Sequence, residues 1–277
     1  MLVLLTFGAC TECVDIDTDI EGNILILDAG RDLVVKFSPE GDSLGGVGGF
    51  GRGEREFHSP SAIYAARGTE VLVADRNNHR IQRFDRRLDY VGTIRTRDAE
   101  DERIRFGYPL DVALSRQGDV HILDGENLRV LVLDPSGRFL RSIGDVGSGE
   151  GRLVDPQRLE LDGEDNVYVL DQGRLRQYDP FGSWLRDLPS PAGSITSFSI
   201  QRDTMAILSV DSILTLYSLR PVPAVSRRSE VIGGRWKGVR LYGPLLYILG
   251  NRGVGLLKFH SFAPDSSQSA LPTSVDE

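Results

Sequence analysis

Short apolar runs recur along the chain, and most of them stop at a polar residue. The clearest are Asn23-Ile-Leu-Ile-Leu-Asp28, Glu70-Val-Leu-Val-Ala-Asp75, Asp119-Val-His-Ile-Leu-Asp124 and Asn166-Val-Tyr-Val-Leu-Asp171. Two weaker copies follow, Thr204-Met-Ala-Ile-Leu-Ser209 and Leu245-Leu-Tyr-Ile-Leu-Gly250. Each is trailed by a second short run: Leu33–Phe37, Ile81–Phe84, Val130–Leu133, Leu175–Tyr178, Ile213–Tyr217 and Leu256–Phe259. Runs of this length, rich in Val, Ile, Leu and aromatics and bounded by Gly, Asp and Asn, read as β-strands. No long stripe of period 3.6 accompanies them, so little helix is expected. Six copies spaced by roughly 40–50 residues, with about four strands each, have the period of propeller blades. The expected fold is therefore all-β, a six-bladed propeller of four-stranded antiparallel blades over residues 1–262. The Ser/Pro-rich tail 263–277 is expected to be disordered.

A third element marks the passage from blade to blade. Phe57-His-Ser-Pro60, Phe106-Gly-Tyr-Pro109 and Leu153-Val-Asp-Pro156 share the form apolar-x-x-Pro, and each enters the innermost strand of the next blade. The segment Asp75-Arg-Asn-Asn-His-Arg-Ile-Gln82 resembles the signature of NHL repeats. Gly51-Arg-Gly-Glu-Arg-Glu-Phe57-His-Ser-Pro60 is similar to the loop between NHL blades. The resemblance covers residues 14–180 in detail and the remainder by strand pattern only. It implies a bacterial-type NHL propeller, an architecture used by binding platforms, lyases and lactonases alike. Amidating lyases of this fold carry a zinc-binding His directly after the blade-entry Pro. The matching positions here are Ser61, Leu110 and Gln157, so the zinc chemistry does not carry over.

An Asp closes four of the runs, and an Arg follows within a few residues: Asp28 with Arg31, Asp75 with Arg80, Asp124 with Arg129, and Asp171 with Arg174 or Arg176. A carboxylate there can cap the turn and accept a paired donor from Arg. Repetition favours a structural rivet for Asp28, Asp75, Asp124 and Asp171. The same loops offer a binding surface in Arg31, Asn78, Arg80, Asn127 and Arg129, suited to an acidic or polar partner.

Other candidates are weaker. The Gly-rich stretch Gly45–Gly53 lacks the following helix that a phosphate cradle needs. Asp15, Asp17 and Asp19 resemble the start of a calcium loop, but Ile20 stands where such a loop requires Gly. They are expected on the exposed face of an inner strand, where they could hold a cation only weakly. Ser43 in Gly41-Asp-Ser-Leu-Gly45 has no strand–turn–helix context for a nucleophile. His79 and His121 fall within the repeat and are expected to be structural. No catalytic or metal-binding residue and no cofactor is assigned.

Composition narrows the reading further. The 277 residues carry a net charge of −8, which argues against a sequence-tolerant nucleic-acid partner. Only Lys36, Lys237 and Lys258 among the 32 basic residues are lysines. The two cysteines, Cys10 and Cys13, cannot build a disulfide framework or a four-cysteine metal site. Phe7-Gly-Ala-Cys10 has the small residues of a lipoprotein cleavage site, after a short apolar stretch. Leu2–Phe7 has two competing readings, a strand that closes the ring or the remnant of a leader that would lipidate Cys10. The expected function is a non-enzymatic, monomeric binding or scaffold propeller for a protein, peptide or glycan. The alternative is a metal-dependent hydrolase or lyase of the lactonase or amidating-lyase kind. Membrane contact is expected only through that lipid anchor, and the location outside the cytoplasm, with the cytoplasm as alternative.

Overall fold

The computed structural model describes residues 6–7, 10–68, 70–188, 193–219, 225–232, 235–250 and 253–258. Six four-stranded antiparallel sheets account for them. The first blade runs Cys13–Thr18, Ile24–Asp28, Leu33–Phe37 and Ser43–Gly48. The second runs Ala62–Tyr64, Glu70–Asp75, Arg80–Asp85 and Tyr90–Ile94, and the third Pro109–Leu114, Val120–Asp124, Arg129–Leu133 and Phe139–Ile143. The fourth holds Pro156–Leu161, Val167–Asp171, Arg174–Tyr178 and Trp184–Leu188, and the fifth Ile195–Gln201, Thr204–Ser209, Ile213–Ser218 and Val225–Val231.

The sixth blade contributes Trp236–Tyr242, Leu245–Gly250 and Val254–Lys258, and its fourth strand is Thr6–Phe7. Thr6 pairs with Gly255 and Phe7 with Val254. Of the two readings of Leu2–Phe7, the strand that closes the ring is thus present at its last two residues. Leu2–Leu5 lie outside the described residues, as does the tail 263–277. Neighbouring blades touch through their innermost strands in cyclic order, the sixth against the first. The sheets therefore form a ring around a central channel.

Burial explains why the second strands read as continuous apolar runs. Leu25 and Leu27 pack toward the second blade with Ile63, Val71, Val73 and Phe84. Ile24 and Ile26 pack toward the sixth blade with Tyr247, Leu249 and Val254. Both faces of each sheet are covered, so both alternating sets must be apolar. The same alternation yields six apolar clusters, one at each seam. Phe57, Phe106 and Leu153, the leading residues of the blade-entry motifs, are fully or almost fully buried in three of them. At about 25 cal/mol per Å² of apolar surface removed from water, these seams are the main favourable contribution to the ring.

Strand direction fixes two unlike faces. Turns from second to third strands, and the loops between blades, lie on one face, called upper here. Turns from first to second and from third to fourth strands lie on the lower face. The Gly-rich stretch supplies the outer strand of the first blade and the exit from it. Gly48 and Gly49 take φ values of 138° and 121°, which non-glycine side chains rarely adopt. Ser43 opens that same outer strand, with no helix after it.

Candidate functional site

The upper face is built on the repeated Asp. Asp75 is fully buried. It accepts from the His58 backbone N–H at 2.8 Å, from Asn78 Nδ2 at 2.9 Å and from Arg80 Nε at 2.7 Å. Arg80 then turns inward and donates to the carbonyls of Arg52, Gly53 and Glu56 in the incoming loop. Asp124 repeats the scheme with Gly107 N–H, Asn127 and Arg129, and Arg129 holds the carbonyls of Arg103 and Arg105. Asp28 accepts from Thr11 and Glu12 N–H and from Arg31. Burial pushes the Asp28 carboxyl upward, but these donors outweigh it and leave its pKa below the ordinary value. Asp171 accepts from Val154 and Asp155 N–H, and its ion-pair partner is Arg176, at 3.1 Å.

The arginines divide accordingly. The side chains of Arg80 and Arg129 are only 10% and 13% exposed and serve the loops beneath them, whereas Arg31 is 46% exposed. What the locked loops present outward is aromatic. Phe50 is 74% exposed and lies edge-on to His58, with ring centroids 5.1 Å apart. Tyr108 is 41% exposed and lies edge-on to His79 at 4.4 Å. The Tyr108 N–H donates to His79 Nδ1, and Tyr108 and His79 both hold left-handed backbone conformations. Burial, with Arg97 nearby, lowers the His79 pKa. The imidazole is therefore neutral near pH 7 and carries its hydrogen on Nε2. These two aromatics escape a repeat-based reading because they stand where the repeat varies. The available signal was a large ring in an inter-blade loop.

The central channel is a second concave region, with a cavity of about 270 Å³ reaching the lower face. Its wall shows how the ring is locked. Innermost strands leave N–H groups without a partner on the channel side, and the preceding blade supplies acceptors. Asp15 and Asp17 accept from Ile63 and Ala65 N–H, Asp111 from Leu159, and Glu160 from Ile200. Two arginines then bridge across the channel. Arg158 of the fourth blade meets Asp15 of the first at 2.6 Å, and Arg240 of the sixth meets Asp17 at 2.6 Å and Glu160 at 2.9 Å.

Asp15 and Asp17 are thus buried seam locks on an inner strand, not an exposed acidic face, and Asp19 is paired with Lys36 at 2.8 Å. Burial pushes the Asp111 carboxyl up to about 8, with the Asp15 carboxylate adding to it, and burial pushes Glu160 up to about 7. Asp111, Arg158, Glu160 and Arg240 were not singled out from the sequence, although alternate polar residues within an apolar strand were a usable signal.

Cys10 and Cys13 are joined as a disulfide. A lipid thioether on Cys10 would need the same sulfur. His121 is buried, with Nε2 lacking a partner. Among the described residues, no group of three or more His, Cys, Asp or Glu side chains is placed to hold a metal ion, and no helix is long and apolar enough to cross a membrane.

Comparison with known proteins follows the same lines. Residues 57–84 match the NHL repeat family. Over 126 residues, 45% of this chain, the sequence is 27% identical to Protein brain tumor of Drosophila melanogaster, and the match spans only 12% of that protein. A catalytically inactive virginiamycin B lyase from Staphylococcus aureus, solved with quinupristin, is similar with a TM-score of 0.63 and 11% identity, over 90% of this chain and 82% of that one. A streptogramin B lyase structure gives 0.60 and 8%, over 94% and 98%. At such identities the two lyases share the fold alone.

Proposed function

We propose that this chain, a six-bladed propeller carrying an NHL repeat, is a binding module whose upper face engages a protein partner. The observation that carries the reading is the division of labour on that face. Buried Asp–Arg locks spend their hydrogen bonds on the loop backbone, and Phe50 and Tyr108 are left pointing into solvent from loops already held in place. Exposed aromatics on a rigid frame lose little conformational entropy on binding and make effective anchors. The partial likeness to Protein brain tumor, through a shared repeat, supports a binding role.

A photo-crosslinking amino acid placed at Phe50 or Tyr108 is expected to capture one discrete protein in the native cells. The same group at Phe181, 82% exposed in a lower-face turn, is expected to capture none. Equal capture from both faces, or none from the upper one, would remove the reading.

A further inference from the structure

The first blade is entered by a different device from the next three. In blades two, three and four, the entry motif buries an apolar residue, Phe57, Phe106 or Leu153, and reaches a Pro three residues later. In blades three and four that Pro opens the innermost strand opposite the lock aspartate, Pro109 against Asp124 and Pro156 against Asp171, with a bulge directly after it. Cys13 holds the same register against Asp28, with the same bulge. Cys10 therefore falls on the apolar anchor, and Thr11 on the residue that donates to the lock. Thr11 N–H meets Asp28 at 2.8 Å as the N–H groups of His58, Gly107 and Val154 meet Asp75, Asp124 and Asp171. The segment Cys10-Thr-Glu-Cys13 is this entry motif with both of its constraints exchanged. A cysteine buries a smaller apolar side chain than Phe or Leu, and Cys13 lacks the fixed φ of Pro. The Cys10–Cys13 disulfide stands in for both, because it holds the two ends of the loop together.

We infer that this disulfide is a redox-controlled clasp at the seam between the sixth and first blades, opened by a dithiol reductant. Cys13 is fully buried among Ile24, Tyr247, Leu249 and Val254, whereas Cys10 is half-buried at the edge of that cluster. The Cys10 sulfur is the one that a thiolate can reach. Attack there forms a mixed disulfide and expels the Cys13 sulfur as a thiolate, which takes a proton from water. The second thiol of the reductant then attacks the reductant's own sulfur in the mixed disulfide and releases Cys10, on which its proton ends. Two electrons pass from the dithiol, which leaves as a disulfide, to the cysteine pair, which ends as two thiols. The entry loop is then held at Asp28 only through hydrogen bonds, from Thr11 and Glu12 N–H and from Ala29 N–H to the Glu12 carbonyl. The closing strand Thr6–Phe7 ends three residues before Cys10 and pairs with Val254, a member of the same cluster, so it loosens with the loop. The other three entry motifs contain no cysteine and do not respond. The clasp is independent of the binding role proposed above.

The test is amide hydrogen exchange of the purified, folded chain, read residue by residue with and without dithiothreitol. Both cysteines should become open to alkylation in the folded protein. Exchange at Thr11, Glu12 and Ala29 should quicken about tenfold or more, with the Thr6–Phe7 and Val254–Gly255 pair following, while His58, Gly107 and Val154 keep their rates. The Cys10→Ser/Cys13→Ser variant should exchange like the reduced chain whether or not dithiothreitol is present. The Cys10→Phe/Cys13→Pro variant, which rebuilds the entry form of the next two blades, should stay slow and indifferent to dithiothreitol. Thermal unfolding checks that both variants are folded. Equal exchange in the oxidised and reduced chains would overturn the inference. So would cysteines that dithiothreitol reaches only after unfolding, or a serine variant that still responds to it. A response confined to the loop, with the closing strand unchanged, would overturn the link to the sixth blade.

Discussion

The seam between the first two blades and the seam between the last two meet the same need with different groups. In each, an innermost strand has free N–H groups that the preceding blade must satisfy. At the first seam, Asp15 and Asp17 accept from Ile63 and Ala65. At the last, Ser197, Ser199 and Gln201 accept from Val239, Leu241 and Gly243, at 3.3, 3.0 and 2.6 Å. The position requires an acceptor of the right reach, and charge is not part of that requirement. A carboxylate used there must in addition be neutralised, and Arg158 and Arg240 extend into the channel for that purpose. The carboxylate seams are therefore coupled to distant blades, and the hydroxyl seam is not.

The sharpest way to break this contrast is Arg240→Met. It strands Asp17 and Glu160 together in a buried site, and breaking such a pair typically costs about 3–5 kcal/mol. Urea unfolding should show a loss of that size, and a loss below about 1 kcal/mol would mean the channel arginines are dispensable.

A second test uses pH. Asp111 has a folded pKa of about 8 against an ordinary 3.8, so the folded state holds its proton longer and stability contributed there falls as pH rises between those values. Asp111→Asn should be more stable than wild type at pH 8, on the order of 2–4 kcal/mol, and similar at pH 4. His121 works in the opposite sense. Burial pushes its pKa down to about 4 from 6.5, so the unfolded chain takes the proton first and stability is lost as pH falls through that window. His121→Gln should flatten that acid limb, and the pair of variants separates the two slopes in thermal unfolding from pH 4 to 8.

The smallest effect belongs to the hydroxyl seam. Ser199→Ala leaves one N–H without its acceptor and removes no charge, so a loss of about 1 kcal/mol is expected, independent of pH. A pH-dependent loss at Ser199 would mean that the two kinds of seam are not chemically separate.

Legibility in the sequence followed burial. The second strands stood out because both their faces are covered, which makes them unbroken apolar runs closed by Asp28, Asp75, Asp124 and Asp171. The innermost strands Ile195–Gln201 and Trp236–Tyr242 did not, since Ser197, Ser199, Gly238 and Arg240 interrupt them with the groups that serve the seam and the channel. Cross-channel pairs were out of reach for a local reason: Arg158 and Asp15 are 143 residues apart, and nothing near either one announces the other. The Asp–Arg motif was visible in blades one to four. Its direction was not, because spacing alone does not tell an arginine offered to a partner from one folded back onto three carbonyls of the loop that enters its blade. Phe50 and Tyr108 gained meaning only once the neighbouring polar side chains were seen to point inward.

Closure of the ring sets the order in which the molecule can be assembled. The pairing of Thr6 with Gly255 is among the longest-range contacts in the chain, and contacts of that separation form late because they carry the largest loop-closure entropy. Five blades can complete their own sheets from local sequence, while the sixth must wait for a strand that precedes the first blade. A nascent chain therefore holds Thr6 and Phe7 unpaired until Val254 and Gly255 have emerged, and a pull on the N-terminal end would open the disc at this latch before disturbing any other blade.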